Sequence, residues 1–320
     1  MAKRIVLFGL MAALIALFFS CSSPVAPADP GASPSTEAST PEGGTPPSSE
    51  EGEPLEGTIR VATFNIQIFG PTKISRPNVL DTLAHIATRY DVIAIQEVGS
   101  NGTPTEETAT LVMDSYIAKV NETAGAGLYA YVRGHQYAIV YRTDRLAVEE
   151  SRLYTGTQTF TYQPLVANMR MIEGNFDFSI LTVHTSPDLA GSEIPALKVA
   201  MQELVTQYDE PDVICLGDFN ADGSYYDEGT EDFLAGWEGY FTGVPNDADT
   251  TVATSSNTYD RIQMSSSLQS DFVGNWDVLR FSDYYDVSVL EGATTTAGTE
   301  SALSDHYPVW CEFHIDRDDN

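Results

Sequence analysis

Basic side chains are scarce in this chain. Lys and Arg number 16 against 46 Asp and Glu in 320 residues, for a formal net charge of −30. That balance excludes a protein that grips nucleic acid with a basic face, because such a face works by neutralising phosphates. Cysteine is scarce too: there are 3, and none has the spacing of a metal knuckle. No long apolar run follows the N-terminus, so the body of the chain offers no candidate membrane helix. What remains is 42% hydrophobic and 10% aromatic, too apolar for wholesale disorder. The length suits one large domain or two ordinary ones.

The ends separate from the body by composition. Lys3 and Arg4 precede the apolar stretch Ile5 to Phe19, which has the length of a signal h-region and is short for a membrane span. Phe18-Phe19-Ser20-Cys21 then resembles a bacterial lipobox, with Phe18 where Leu is usual. This predicts export, lipidation of Cys21 and attachment to the cell envelope. A plain secretory signal and an uncleaved anchor are the alternatives. Residues 22–57 are rich in Ser, Pro, Thr, Gly, Ala and Glu, a composition that cannot offset its ordering entropy and reads as a flexible tether. The folded domain is expected over 58–320.

Within that domain the acidic surplus predicts a well-solvated surface. It also means that an anionic substrate would approach against the field unless divalent cations neutralise the contact zone. Cys215 and Cys311 each sit in an apolar strand-like run, DVICLGDFN and YPVWCEF, and are expected as buried thiols, with a disulfide as the alternative.

Apolar runs at Ile59–Phe64, Asp91–Val98, Tyr137–Arg142, Phe176–His184, Asp212–Asn220, Thr258–Met264 and His306–Phe313 read as strands. Asn78–Arg89 and about Ile194–Tyr208 carry helical spacing. Strand–helix alternation early and hairpin-like pairs in the middle predict a mixed α/β sandwich. His85, His314, Trp276 and Trp310 need no functional reading: surface, tail or core placements account for them.

Several strands end in a group that does not belong in a core. Asn65 follows RVATF, Glu97 follows DVIAIQ and His184 follows FSILTV; Asp218 and Asn220 follow DVICLG, and Asp260 follows NTY. Asp305 and His306 open the last strand. Any one of these is a turn or cap; together they indicate a site where strand ends gather. Asn65, Glu97 and Asp305 are hard oxygen donors suited to Mg²⁺, Mn²⁺ or Ca²⁺ rather than a thiol-loving metal. His184 and His306 can exchange a proton near neutral pH, with Asp260 as an orienting carboxylate. Asp218 and Asn220 can position a water or a phosphate oxygen. That set describes metal-assisted phosphodiester hydrolysis.

The segments RVATFNIQIFG, YDVIAIQEV, YAIVYR, LTVHTSPD, GDFNAD, DTTVATSSNTYDRI and SDHYPV, in that order, resemble the endonuclease/exonuclease/phosphatase superfamily and its deoxyribonuclease I-like branch over roughly 58–315. The resemblance implies a four-layer sandwich of two β-sheets flanked by helices. It implies Asn65, Glu97 and Asp305 around a divalent metal, His184 and His306 as acid/base or phosphate-stabilising groups, and Asp260 paired with His306. Asp218 and Asn220 would stand at the scissile phosphate, and DNA would be the substrate. A monomer with no protein partner is expected.

Departures from the family pattern bear on the substrate. The family usually has a Glu two residues before the Tyr of YAIVYR, holding the first catalytic His; here that place is His135, so His184 lacks its expected carboxylate and its tautomer is less well fixed. Gly99 and Tyr162 stand where deoxyribonuclease I has Arg contacts to DNA, and Arg133 is an extra basic residue. Arg133, His135, Tyr162 and Tyr225 are the candidate substrate contacts. The disulfide positions are absent, with Gly223 and Thr258 near those places. The loop Asp249–Asn257 resembles a structural Ca²⁺ loop carrying Val252 as an insertion. The lost Arg contacts keep open a lipid-headgroup or small phosphate-ester hydrolase, of the kind that cleaves sphingomyelin, and His135 keeps open a catalytically weakened binding homologue.

Overall fold

The structure, a computed structural model, describes residues 55–99, 105–125, 127–227, 237–292 and 299–318. The expected signal, Cys21 and nearly all of the tether lie outside the described residues.

In chain order the strands are β1 (Thr58–Phe69), β2 (Val92–Val98), β3 (Tyr129–Gly134), β4 (Tyr137–Arg142), β5 (Leu146–Leu153), β6 (Leu165–Met171), β7 (Asp177–His184), β8 (Val213–Asp218), β9 (Tyr240–Thr242), β10 (Asp260–Ser265), β11 (Phe272–Val278) and β12 (Val309–His314). The main helices are α1 (Pro71–Ile74), α2 (Pro77–Ala87), α3 (Glu106–Ala124) and α4 (Ala190–Tyr208). Two six-stranded sheets result, ordered β11-β12-β1-β2-β4-β3 and β5-β6-β7-β8-β10-β9. Each is mixed: β1 pairs with β2 in parallel and β7 with β8 in parallel, and the other pairs are antiparallel. Among the described residues no helix is long and apolar enough to cross a membrane.

Three apolar layers hold the sheets and helices together. The inner faces of the sheets share one core that includes Ile59, Val61, Val92, Ile139, Leu165, Ile180, Leu216 and Ile262. Val79, Leu83, Val112, Met113 and Tyr116, from α2 and α3, cover the outside of the first sheet at Phe64, Ile93 and Ile95. Ile194, Leu197, Met201 and Leu204, from α4, cover the outside of the second at Val166, Leu181, Val213 and Cys215. This is the four-layer sandwich expected from the sequence. Cys215 and Cys311 are free, buried thiols.

The differences from the sequence reading are local. Helix α3 went unread because Thr, Glu and Asn interrupt its apolar stripe; its real signals are its ends. Thr105 caps it by accepting the Thr108 N–H, and Gly125 terminates it at φ 87°. Asn65 does not end its strand, since β1 continues to Phe69 through an irregularity in the pairing with β2. Asp305 and His306 precede β12 rather than opening it, with His306 in an isolated bridge to Thr251, and Asp260 opens β10 rather than ending a strand.

One glycine is indispensable to the geometry of the site. Gly217, next to Asp218, has φ +146°, and a Cβ there would lie 2.0 Å from the Val183 carbonyl oxygen on β7. Only glycine lets β8 approach its parallel neighbour this closely. Gly217→Ala is therefore expected to destabilise the fold by about 3 kcal/mol or more, read as a lowered urea midpoint; an unchanged midpoint would refute this account.

Candidate active site

Side chains alternate between sheet faces with period two, and each central strand uses that alternation in the same way. Val61, Thr63 and Asn65 share the inner face of β1; Val92, Ala94 and Gln96 share that of β2. Opposite them are Ile180, Thr182 and His184 on β7, Ile214, Leu216 and Asp218 on β8, and Ile262 and Asp260 on β10. Towards one end of the sandwich each strand thus passes from apolar to polar. The first polar step is closed upon itself: buried Gln96 donates to Thr63 Oγ1 at 2.9 Å and to Thr182 Oγ1 at 3.0 Å, joining the two sheets. Beyond it, His184, Asp218 and Asp260 lie side by side in register on three adjacent strands, facing Asn65.

Asp218 is the hub. Its Oδ2 accepts from Asn65 Nδ2 at 3.0 Å and lies 3.5 Å from Nε2 of both His184 and His306; its Oδ1 accepts the Asn220 N–H at 2.9 Å. Asn65 Nδ2 also donates to Glu97 Oε1 at 3.0 Å, and Glu97 Oε2 accepts the Ile68 N–H at 2.8 Å. Gln67 Nε2 donates to Asp305 Oδ2 at 2.7 Å. Ser304 fastens the 304–306 loop to β1: its hydroxyl donates to the Asn65 carbonyl and accepts the N–H groups of Gln67 and His306. Ile68, Glu97 and Asn220 all have positive φ, at 52°, 62° and 48°. Non-glycine residues held there carry strain that surrounding contacts must maintain, a condition concentrated at functional sites. The structure therefore brings together Asn65, Glu97, His184, Asp218, Asn220, Asp260, Asp305 and His306, eight polar residues singled out from the sequence.

The two imidazoles are held differently. His306 Nδ1 is 2.8 Å from Asp260 Oδ2, and Asp260 is completely buried. Burial alone would lower the His306 pKa, but the carboxylates of Asp260, Asp218 and Asp305 outweigh it and push it up to about 10. His184 has no such partner: its Nδ1 is buried with no hydrogen bond among the described residues. That agrees with the missing carboxylate, since His135 is an exposed residue at the β3–β4 turn, with φ 51°. Lys73, not recognised in the sequence, is buried beneath the site and donates to the carbonyls of Gln67 and Leu303. Its burial brings its pKa down to about 8, while Asp305 and Glu97 pull the other way.

Comparison with known proteins gives this arrangement a family. The model of the endonuclease/exonuclease/phosphatase family matches residues 62–306. The chain belongs to this family. It is 30% identical to deoxyribonuclease-1 of Oryctolagus cuniculus over 273 residues, covering 80% of this chain and 92% of the relative. It is 29% identical to that of Homo sapiens over 272 residues, covering 80% and 93%. An endonuclease/exonuclease/phosphatase from Bacteroides vulgatus superposes with a TM-score of 0.55 at 14% identity, covering 81% of this chain and 99% of that one. D. rerio TDP2 in complex with a single-stranded DNA product superposes at 0.50 with 16% identity, covering 81% and 99%. At these identities the superpositions speak for the fold alone.

The family is generally divalent-metal dependent, and the donors here suit a hard ion. Asn65 Oδ1 is buried with no hydrogen-bond partner among the described residues, while its amide nitrogen lies between two carboxylates. Among the described residues no three His, Cys, Asp or Glu side chains form a complete cage. Glu97, Asp305 and the Asn65 oxygen would hold an ion whose remaining ligands are water or substrate, which suits Mg²⁺, an ion that keeps much of its hydration. The Asp249 loop fits Ca²⁺ poorly. Asp249 Oδ1 already accepts from the Thr251 and Asn257 backbone and from the Thr251 hydroxyl, and its Oδ2 faces Arg280 Nη2 at 3.5 Å, so a guanidinium supplies the positive charge there.

The candidate substrate contacts divide into two groups. Tyr162 lies against the His184 ring with centroids 5.4 Å apart; exposed Tyr225 leans on Tyr259, which leans on His306. Arg133 is instead tied to α3 through Glu106 and the Thr110 hydroxyl.

The pairing of His306 with Asp260 has a definite pH signature. A folded-state pKa above the ordinary 6.5 means that the ion pair stabilises fully below that pH and loses its contribution as pH rises through about 10. In the metal-free protein, NMR titration is expected to show His306 still protonated at about pH 8, and Asp260→Asn to leave it neutral there. A wild-type ring titrating near the free-histidine value of about 6.5 would contradict the pairing.

Proposed function

We propose that this protein is a divalent-metal-dependent phosphodiester hydrolase that cleaves DNA as an endonuclease, working at the bacterial cell envelope or outside it as a monomer. The observation that carries the reading is the Asp218 carboxylate set between two imidazoles, 3.5 Å from each, beside the Asn65–Glu97 pair. Similarity to deoxyribonucleases along most of the chain supports DNA, and the signal-like N-terminus with Cys21 supports export and a lipid anchor.

The chain's own groups divide the work. Glu97, Asp305 and Asn65 hold the ion. A bound Mg²⁺ or Mn²⁺ supplies positive charge to the phosphate oxygens, which matters in a protein this acidic. His306, kept protonated by Asp260, presents Nε2–H beside Asp218, where it can stabilise a phosphate oxygen or give a proton to the leaving alkoxide. Asp218 and His184 together position a water and receive its proton. Asn220, its backbone N–H on Asp218 and its amide nitrogen on the Thr185 carbonyl, braces this pair at the scissile phosphate. Exposed Tyr225, leaning on Tyr259, offers a ring face to the substrate.

The test is the purified full chain on plasmid DNA, single-stranded DNA, RNA and sphingomyelin, with Mg²⁺, Mn²⁺ or EDTA. Plasmid nicking that needs the ion is expected, with a loss of about 10²–10⁴-fold in His184→Ala and His306→Ala. Intact plasmid alongside hydrolysed sphingomyelin would transfer the protein to the lipid-phosphodiester reading. Activity that survives both His substitutions would refute the mechanism.

A further inference from the structure

The buried His184 Nδ1 has no hydrogen-bond partner among the described residues, which leaves open what holds the ring in place. The ring contact with Tyr162 lies next to it, at 5.4 Å between centroids and 33° between planes. Two buried groups from elsewhere in the fold clamp the segments that carry these rings. The Tyr137 hydroxyl accepts the His184 N–H at 3.0 Å and donates to the Tyr162 carbonyl at 3.2 Å, so one oxygen ties the two residues together. Glu193 on α4, only 3% exposed, does the same one residue before and two after: its Oε1 accepts the Thr161 N–H at 2.6 Å and its Oε2 the Ser186 N–H at 2.7 Å. A buried carboxylate is costly unless paired, and both of its oxygens are used on this junction.

We propose that Tyr162 is a positioning residue for His184: its ring, locked in place by the Tyr137–Glu193 clamp, fixes the plane of the imidazole by face contact where no hydrogen bond from the described residues reaches Nδ1. The inference rests on the reading of His184 as a proton-transfer group. An imidazole free to turn about its Cβ–Cγ bond would aim Nε2 at Asp218 only part of the time, and misaimed groups lose rate steeply. Tilted ring pairs at this separation are favourable, and the attraction lies in the ring faces rather than the hydroxyl. Phenylalanine at position 162 should therefore serve as well as tyrosine, and an aliphatic residue should not.

Two measurements on the full chain decide the matter. The first, made without metal or substrate, is the NMR signal of the His184 ring. The wild type and Tyr162→Phe are expected to share one ring-current-shifted resonance, and Tyr162→Leu to lose the shift and broaden. Glu193→Gln, which disturbs the clamp without touching either ring, is expected to move the signal the same way by less, and serves if the leucine variant does not fold. The second is phosphodiester hydrolysis: Tyr162→Leu should lower kcat about tenfold or more with KM little changed, and Tyr162→Phe should match the wild type. A phenylalanine variant impaired in KM would overturn the proposal in favour of direct contact between the hydroxyl and substrate. A leucine variant with an unshifted His184 signal would overturn it outright. A wild type that hydrolyses no phosphodiester would refute the catalytic reading, while the NMR comparison would still decide whether Tyr162 positions the ring.

Discussion

The arrangement depends on one contact, in which the Asp218 carboxylate on the second sheet accepts a hydrogen bond at 3.0 Å from the Asn65 amide on the first. Apart from the Gln96–Thr63–Thr182 layer, the shared core between the facing sheets is apolar, and apolar attraction is non-directional and tolerates small slips. At this end they meet through a charge that is only 2% exposed and must be satisfied with directional partners. Asn65, the Asn220 N–H and the two imidazoles meet that demand together. Each partner is thereby fixed relative to the others. The close approach at Gly217 places the carboxylate, and the Gln96–Thr63–Thr182 layer beneath it keeps the sheets at matching depth.

The same pressure explains why the two histidines differ. His306 lies in the loop before β12, attached to β1 through Ser304, and its ring is secured by a fully buried carboxylate. It belongs to the electrostatics of the site: three acidic neighbours keep it charged in spite of burial. His184 ends a strand whose backbone is already committed to the sheet, and its ring meets a tyrosine face and one edge of Asp218. One imidazole is held by charge and the other by the shape of its surroundings.

The acidic surface is consistent with this chemistry. Repulsion between a net charge of −30 and a phosphodiester has to be overcome locally, and few basic groups near the site are free to do so. Arg133 is bound to α3, and buried Lys73 is committed to the carbonyls of Gln67 and Leu303. The protonated His306 supplies local positive charge, and a divalent cation held by Glu97, Asp305 and Asn65, as proposed, would supply the rest.

Much of this was legible in the linear chain. Short apolar runs announce the central strands, and polar residues that interrupt or bound those runs announce Asn65, Glu97, His184, Asp218 and Asp260, because such groups stand out against an apolar pattern. The supporting set was not legible. Gln96, Ser304, Tyr137, Glu193 and Lys73 are ordinary residues in sequence, and each acquires its role from a partner on another element: Gln96 from Thr182, Ser304 from Asn65, Glu193 from Thr161 and Ser186. The contact between Tyr162 and His184 likewise has no trace in their separation along the chain. Local propensity and hydrophobic alternation act over a few residues, so the chain alone determined which elements form and which polar groups reach their ends. Which of those groups touch depends on how two independently twisted sheets stack, and only the tertiary structure could decide that.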